Sequence, residues 1–210
     1  MGYMVNLSLA RRAALVVGGG EVAGRKIQDL LAAGASVTVV APRACEQIVA
    51  LAEEKRIRAH WRQYRTDDLG DAFVVIAATD DEDANALVAR DAMVRNVLIN
   101  VVDRPALCTF TVPATVCRGD LTIAVATEGK CPALSSILRE ELEGRYGPEY
   151  GELVKLFGEL RNRMIALAWK GPSIREKLAA IYRDGILAMI ASGDEKRLHE
   201  FLTSRLGPSF

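Results

Sequence analysis

The chain has 210 residues, half of them hydrophobic, and its 27 basic side chains balance 27 acidic ones. The balance holds in each half, 13 basic against 14 acidic for residues 1–110 and 14 against 13 for residues 111–210, so neither half is a polyelectrolyte and no nucleic-acid partner is expected. No run approaches the roughly 20 apolar residues of a membrane span, and the amino terminus lacks the basic, apolar and small-residue pattern of a secretory signal, so a cytoplasmic protein with no membrane partner is the expectation.

From Ala13 to Val101 short apolar runs alternate with segments of helical period, the pattern of strands joined by helical crossovers in a parallel sheet. Strands are predicted at 13–17, 36–40, 58–61, 73–78 and 98–101. Helices are predicted over about 22–33, 45–55 and 83–95, the first ending at Gly34, where positive φ suits a helix terminus. The acidic run Asp80, Asp81, Glu82, Asp83 stands beside the positive end of the third helix and reads as capping and solvated surface rather than a metal site. After Arg104-Pro105 the stretch "FTVPATVCRGDLTIAVAT" reads as two β segments around the turn Arg118-Gly119-Asp120. Beyond Pro132 the chain is predicted helical, over 132–146, 152–170, 173–191 and from about Asp194, with Gly147-Pro148 and Gly171-Pro172 between. Cys45, Cys108, Cys117 and Cys131 show no C-x-x-C spacing and are expected as reduced thiols, with no bound metal.

The stretch "LVVGGGEVAGRK" carries Gly18-x-Gly20-x-x-Ala23 between a strand and a helix start, the context of a dinucleotide loop. Gly18 would make the tight turn, with Gly19 beside it in the loop. Gly20, lacking a Cβ, would let the backbone approach a diphosphate on the helix N-terminus, whose unpaired N–H groups and dipole favour anions. Ala23 would serve the close helix-to-strand contact. An acidic residue should follow about 20 positions on to bind the ribose 2′-hydroxyl, yet Ala41, Pro42 and Arg43 occupy that place. Arg43 either sits near an adenosine phosphate, favouring NADP, or faces solvent. The residues alone leave NAD and NADP both open.

Ligands of such a sheet collect outside the carboxyl ends of its strands. "AATDD" would place Thr79 and Asp80 beside the cofactor, and "INVVDRP" carries Asp103 just past the fifth strand. A carboxylate there is a candidate for moving protons; a turn or capping role is the alternative. His60 and His199 read as structural, and no Ser-His-Asp set or G-x-S-x-G elbow supports hydrolysis.

The stretches "LVVGGGEVAGRK", "VTVVAP", "VIAATDD", "INVVDRP", "FTVPA", "GDLTIAVAT" and "PALSSILREELE", in this order and spacing, resemble the precorrin-2 dehydrogenase family, which includes the amino-terminal module of siroheme synthase. The likeness covers residues 3–143 well and the helical remainder loosely. It implies an α/β fold: a Rossmann-like parallel sheet followed by a small β-hairpin dimerisation segment and a C-terminal helical domain. The corresponding divisions are an NAD-binding domain 1–112, a hairpin-plus-helix dimerisation segment 113–146 and a helical domain 147–210. The activity implied is NAD-dependent oxidation of precorrin-2 to sirohydrochlorin, and for some members Fe(II) insertion into sirohydrochlorin in the same cleft, by a homodimer. On this resemblance Glu21, Val22, Pro42 and Arg43 line the NAD site, Asp103 is the proton-handling group, and Thr127 lies near the substrate. Asn100 and Lys130 join Asp103 and Thr127 as candidate contacts to this tetrapyrrole. Arg104, Arg118, Lys130 and Arg139 are candidate anchors for its carboxylates by charge, with solvated surface the alternative for each. Two positions depart from the family's Gly-Gly-x-Ser-Pro run: Glu128 stands for a glycine and Cys131 for a serine. Ending at Phe210, the sequence contains no methyltransferase module, and uroporphyrinogen methylation is not expected. The competing expectation is a nucleotide-sensing regulatory module of the potassium-transport type, without catalysis; such modules usually carry the acidic residue missing here.

Overall fold

A computed structural model describes residues 2–207, which divide into two compact units between Val112 and Pro113. In the first, β1 (Ala13–Val17), β2 (Ser36–Val40), β3 (Arg58–His60), β4 (Val74–Ala77) and β5 (Leu98–Val101) form one parallel sheet in the order β3-β2-β1-β4-β5. The crossover helices are α1 (Glu21–Ala32), α2 (Glu46–Glu53) and α3 (Glu82–Val94). These elements match the predicted ones to within two residues at each end.

The strands read as unbroken apolar runs because helices cover both faces of the sheet. Ala14, Val16, Val37, Val39, Val74 and Ile76 pack against Ile27 and Leu30 of α1 and Ile48 and Leu51 of α2. Leu15, Val17, Val75, Ala77, Ile99 and Val101 face Val88, Ala89 and Ala92 of α3. A fully buried isoleucine such as Ile27 or Ile48 stabilises this arrangement by about 1.5–3 kcal/mol relative to exposure. The expected stop of α1 is a Schellman turn: Gly34, at φ +77°, donates to Leu31 O, and Ala35 donates to Leu30 O.

Sheet order reverses at β1, with β2 on one side and β4 on the other, which opens a crevice at their carboxyl ends. The chain between β3 and β4 is tied down by the Arg62 guanidinium, which donates to both carboxylate oxygens of Asp68 at 2.7 and 2.5 Å. Asp68 also accepts from the Arg65 N–H at 2.8 Å. Nearby, the Tyr64 hydroxyl donates to buried Asp91 of α3 at 3.3 Å, and burial together with the Asp91 charge pushes the phenol well above its ordinary range.

In the second unit β6 (Ala114–Arg118) and β7 (Leu121–Val125) form the expected antiparallel hairpin around Gly119-Asp120, and α4 (Pro132–Arg145) packs on it. Helices α5 (Glu149–Ala166), α6 (Gly171–Arg183), α7 (Ile186–Ser192) and α8 (Glu195–Leu206) enclose Leu153, Leu160, Ile181, Ile186 and Leu202. The single helix predicted over 173–191 is therefore two. Gly185 breaks it at φ +91°, and the core positions step five residues from Ile181 to Ile186, a spacing one continuous helix cannot keep on one face.

The hydrogen bonds from Arg62 hold the Asp68 carboxyl below its ordinary value of 3.8, against the opposing effect of burial. A carboxyl lowered in the folded state adds stability that is fully present above its unfolded value and lost as pH falls through the folded one. Thermal melts between about pH 7 and about pH 3 will therefore show the wild type's advantage over Asp68→Asn shrinking as acid is added; an advantage independent of pH contradicts this.

Candidate functional site

A cleft of about 940 Å³ lies outside the carboxyl ends of β1, β2, β4 and β5. Of the predicted cofactor residues, Gly18, Gly19, Gly20, Glu21, Val22, Pro42, Arg43, Thr79 and Asp80 lie on its wall, and so does Asp103. Ala23 does not. It is completely buried between α1 and the sheet, so its part is the helix-to-strand contact and not the lining.

The three glycines have separate physical reasons. Gly18 stands at φ +130°, and a Cβ there would lie 2.1 Å from the Ala78 carbonyl oxygen. Gly19 does not have a positive φ, but its Cβ would lie 1.9 Å from the Arg43 carbonyl oxygen, and its own carbonyl accepts from the Cys45 N–H at 2.8 Å. Both glycines are thus demanded by neighbouring backbone. Gly20 is different: nothing lies within 4 Å of its Cβ position. It is the N-cap of α1, and no side chain caps that helix, so the leading N–H groups of α1 are left for an anionic ligand, with open space before them. Such a geometry could hold a diphosphate. The tip of β2 presents Ala41, Pro42 and exposed Arg43, with no carboxylate. The site therefore fits a nicotinamide dinucleotide, without the usual acidic partner of its ribose.

Thr79 is spent within its own loop. Its hydroxyl lies 2.9 Å from Asp81 O and 3.1 Å from Asn85 Oδ1 and accepts from the Asp81 N–H at 3.0 Å, while Asn85 Nδ2 donates to Thr79 O at 2.8 Å. Asp81 then caps α3 by accepting from the Ala84 N–H at 3.0 Å, the role expected of the acidic run. Asp80 is left exposed at the rim.

Asp103 is exposed, two residues past β5, with φ +58°. Left-handed backbone in a non-glycine residue is uncommon, though aspartate and asparagine tolerate it best, and its occurrence on a cleft wall points to function. Arg104, next in sequence, pairs with Glu82 at the start of α3. Asn100 does not line this cleft; its Nδ2 donates to Phe110 O at 3.1 Å along the outer edge of the sheet.

The remaining candidates lie in the second unit. The Thr127 hydroxyl is 3.1 Å from that of buried Ser135 and accepts from the Cys131 N–H at 3.3 Å, and Lys130 is exposed on the same turn. Glu128 occupies this turn at φ +55°, which is the physical reason a glycine suits its place. Arg118 is taken up by the carbonyls of Tyr146, Cys117 and Glu143 and Arg139 by Glu140 and Glu143, so neither is a spare anchor. Among the described residues no group of three or more His, Cys, Asp or Glu is placed to hold a metal ion, the four cysteines are free, and no helix is long and apolar enough to cross a membrane. Sequence reasoning missed Gln63, Tyr64 and Leu87 on the cleft wall; none carries a local signature, and the first two arrive there only through the crossover clamped by Arg62 and Asp68.

Residues 5–114 match a family model described as "Putative NAD(P)-binding", and residues 118–145 match one described as sirohaem biosynthesis protein central. The chain belongs to this NAD(P)-binding family. Among its curated relatives are siroheme synthases from Methylobacillus flagellatus, 39% identical over 190 residues, and Pseudomonas entomophila, 46% identical over 154 residues. These alignments take in 90% and 73% of this chain but only 41% and 33% of the relatives, so the chain spans less than half of their length. A solved structure titled "SirC, precorrin-2 dehydrogenase" aligns with a TM-score of 0.80 and 28% identity, over 97% of this chain and 98% of that one. The family resemblance read from the sequence is thereby borne out, as is the fold class.

The glycines make a sharp contrast testable. Gly18→Ala and Gly19→Ala will each destabilise the first unit by about 2–3 kcal/mol in urea unfolding, through backbone collision. Gly20→Ala will cost less than about 1 kcal/mol, the penalty of a poorer N-cap, yet weaken binding of the nicotinamide dinucleotide by at least about 1.4 kcal/mol, tenfold in affinity. Equal effects of all three on stability contradict the assignment.

Proposed function

We propose that this chain oxidises precorrin-2 to sirohydrochlorin with NAD, a step toward sirohaem. The observation that carries the reading is that one cleft joins the uncapped N-terminus of α1 to the carboxylate of Asp103. The names and alignments of the relatives support the same activity, and the family model supports a nicotinamide dinucleotide without distinguishing NAD from NADP. NAD is the choice implied by the resemblance, while exposed Arg43 and the missing carboxylate at the β2 tip leave room for a 2′-phosphate, so both dinucleotides belong in the assay.

The dinucleotide, when bound, supplies a hydride acceptor. The first amides of α1 hold its diphosphate, and Gly20 keeps the approach clear. Raising the conjugation of the tetrapyrrole removes one hydride and one proton, and the Asp103 carboxylate takes the proton. Thr127 and Lys130 of the second unit are proposed as further contacts to the substrate. Both strands of the β6–β7 hairpin are edges of a two-stranded sheet, and we propose that they pair with a second copy of the chain in a homodimer.

Asp103→Asn is the informative variant, because asparagine also tolerates the left-handed backbone while losing the charge. It will bind NAD as the wild type does and reduce precorrin-2-dependent NADH formation by at least about 100-fold. An Asp103→Asn protein with full turnover removes this carboxylate from the mechanism, and tight dinucleotide binding without turnover by the wild type favours the sensing module instead. A parallel arm with sirohydrochlorin and Fe(II), without dinucleotide, reads metal insertion separately.

A further inference from the structure

Among the described residues the outer edge of β5 has no neighbouring strand, and the chain covers it by folding back on itself. Thr109 pairs with Ile99: its N–H donates to Ile99 O at 2.9 Å, its Oγ1 accepts from the Ile99 N–H at 2.9 Å, and the same hydroxyl lies 3.4 Å from Ile99 O. At the next outward-facing pair a sulfur takes the place of a strand. The Val101 N–H donates to Cys108 Sγ at 3.1 Å, and the same thiol lies within donating distance of Val101 O, at 3.3 Å, and of Arg104 O, at 3.4 Å. Asn100 Nδ2 approaches the sulfur from the side at 3.7 Å.

One half-buried thiol therefore joins both ends of the loop over residues 101–108. That loop carries Asp103. Its backbone bonds include Arg104 N–H to Val101 O at 3.2 Å, Leu107 N–H to Arg104 O at 3.0 Å and Cys108 N–H to Pro105 O at 3.1 Å, and Val102 N–H ties its start to Ala77 O at 2.9 Å; none of these joins residue 108 to the start of the loop. Asp103 needs a backbone conformation that side chains rarely adopt, and such a conformation persists only where the surroundings hold it.

We propose that Cys108 is a positioning residue whose thiol clamps the 101–108 loop and so fixes where Asp103 stands over the dinucleotide cleft. The inference rests on the reaction proposed above for its catalytic consequence, but the clamp itself is independent of it. A thiol can donate one proton and accept others weakly. Serine retains both capacities at the same position, and alanine neither.

Two variants of the full chain, Cys108→Ala and Cys108→Ser, test this by amide hydrogen exchange and by kinetics. In Cys108→Ala the amides of the loop will exchange at least about tenfold faster while those of β1 and α1 do not change. Its kcat with precorrin-2 will fall about 10- to 100-fold, the cost of misplacing a catalytic group by a fraction of an ångström to one ångström, with NAD affinity unaltered. Cys108→Ser will restore most of both. Adding Cys108→Ala to Asp103→Asn will slow turnover no further, since both changes act through one carboxylate. Additive losses overturn the proposal, as does a folded Cys108→Ser protein as slow as the alanine variant. If the wild type does not turn over precorrin-2, the proposed reaction falls and exchange alone decides the clamp: selective acceleration in the loop of Cys108→Ala supports it, and unchanged loop exchange overturns it.

Discussion

The cleft exists because backbone meets backbone where no side chain can intervene. The Ala78 carbonyl stands 2.1 Å from where a Cβ of residue 18 would be, and the Arg43 carbonyl 1.9 Å from that of residue 19. These contacts draw the loops after β2 and β4 against the turn after β1. With the N–H of Gly18 bonded to Val40 O at 3.0 Å, they set the direction in which α1 leaves the sheet. The uncapped amides of α1 then face the crevice where strand order reverses, and a helix N-terminus there stabilises an anion by up to about 2 kcal/mol in a partly buried setting.

The rest of the site uses what that crevice makes available. The β4–α3 loop closes on itself through Thr79 and Asn85 and leaves Asp80 on the rim. The β3–β4 crossover, held by the Arg62–Asp68 pair, lays Gln63 and Tyr64 along the wall. Past β5, Asp103 is presented on a left-handed residue in a loop whose ends meet at one sulfur. The uncapped start of α1 and the Asp103 carboxylate thus follow different strands, and the sheet, covered on both faces, fixes their separation.

Much of this was legible in the sequence, and for identifiable reasons. The strands and crossover helices of the first unit announce themselves because burial on both sheet faces leaves short apolar runs between helical periods. Gly18, Gly20 and Asp103 could be placed on one wall because parallel strands bring their carboxyl ends together whatever lies between. What was not legible depends on chain paths that pattern does not encode. The bond from Asn100 Nδ2 to Phe110 O at the sheet edge is one such case, since no local pattern announces where the chain returns after residue 108. The break at Gly185 was hidden by apolar residues continuing on both sides, although the five-residue step from Ile181 to Ile186 carried the signal. Tyr64 and Cys108 lack any motif, and their roles appear only when a crossover and a return segment are traced in three dimensions.

A crystal structure of the chain with NAD bears on the central claim most directly. The diphosphate will lie within hydrogen-bonding distance of the first N–H groups of α1, beside Gly20, and the nicotinamide ring will face the Asp103 carboxylate. A dinucleotide bound elsewhere, or one whose nicotinamide points away from Asp103, would contradict it.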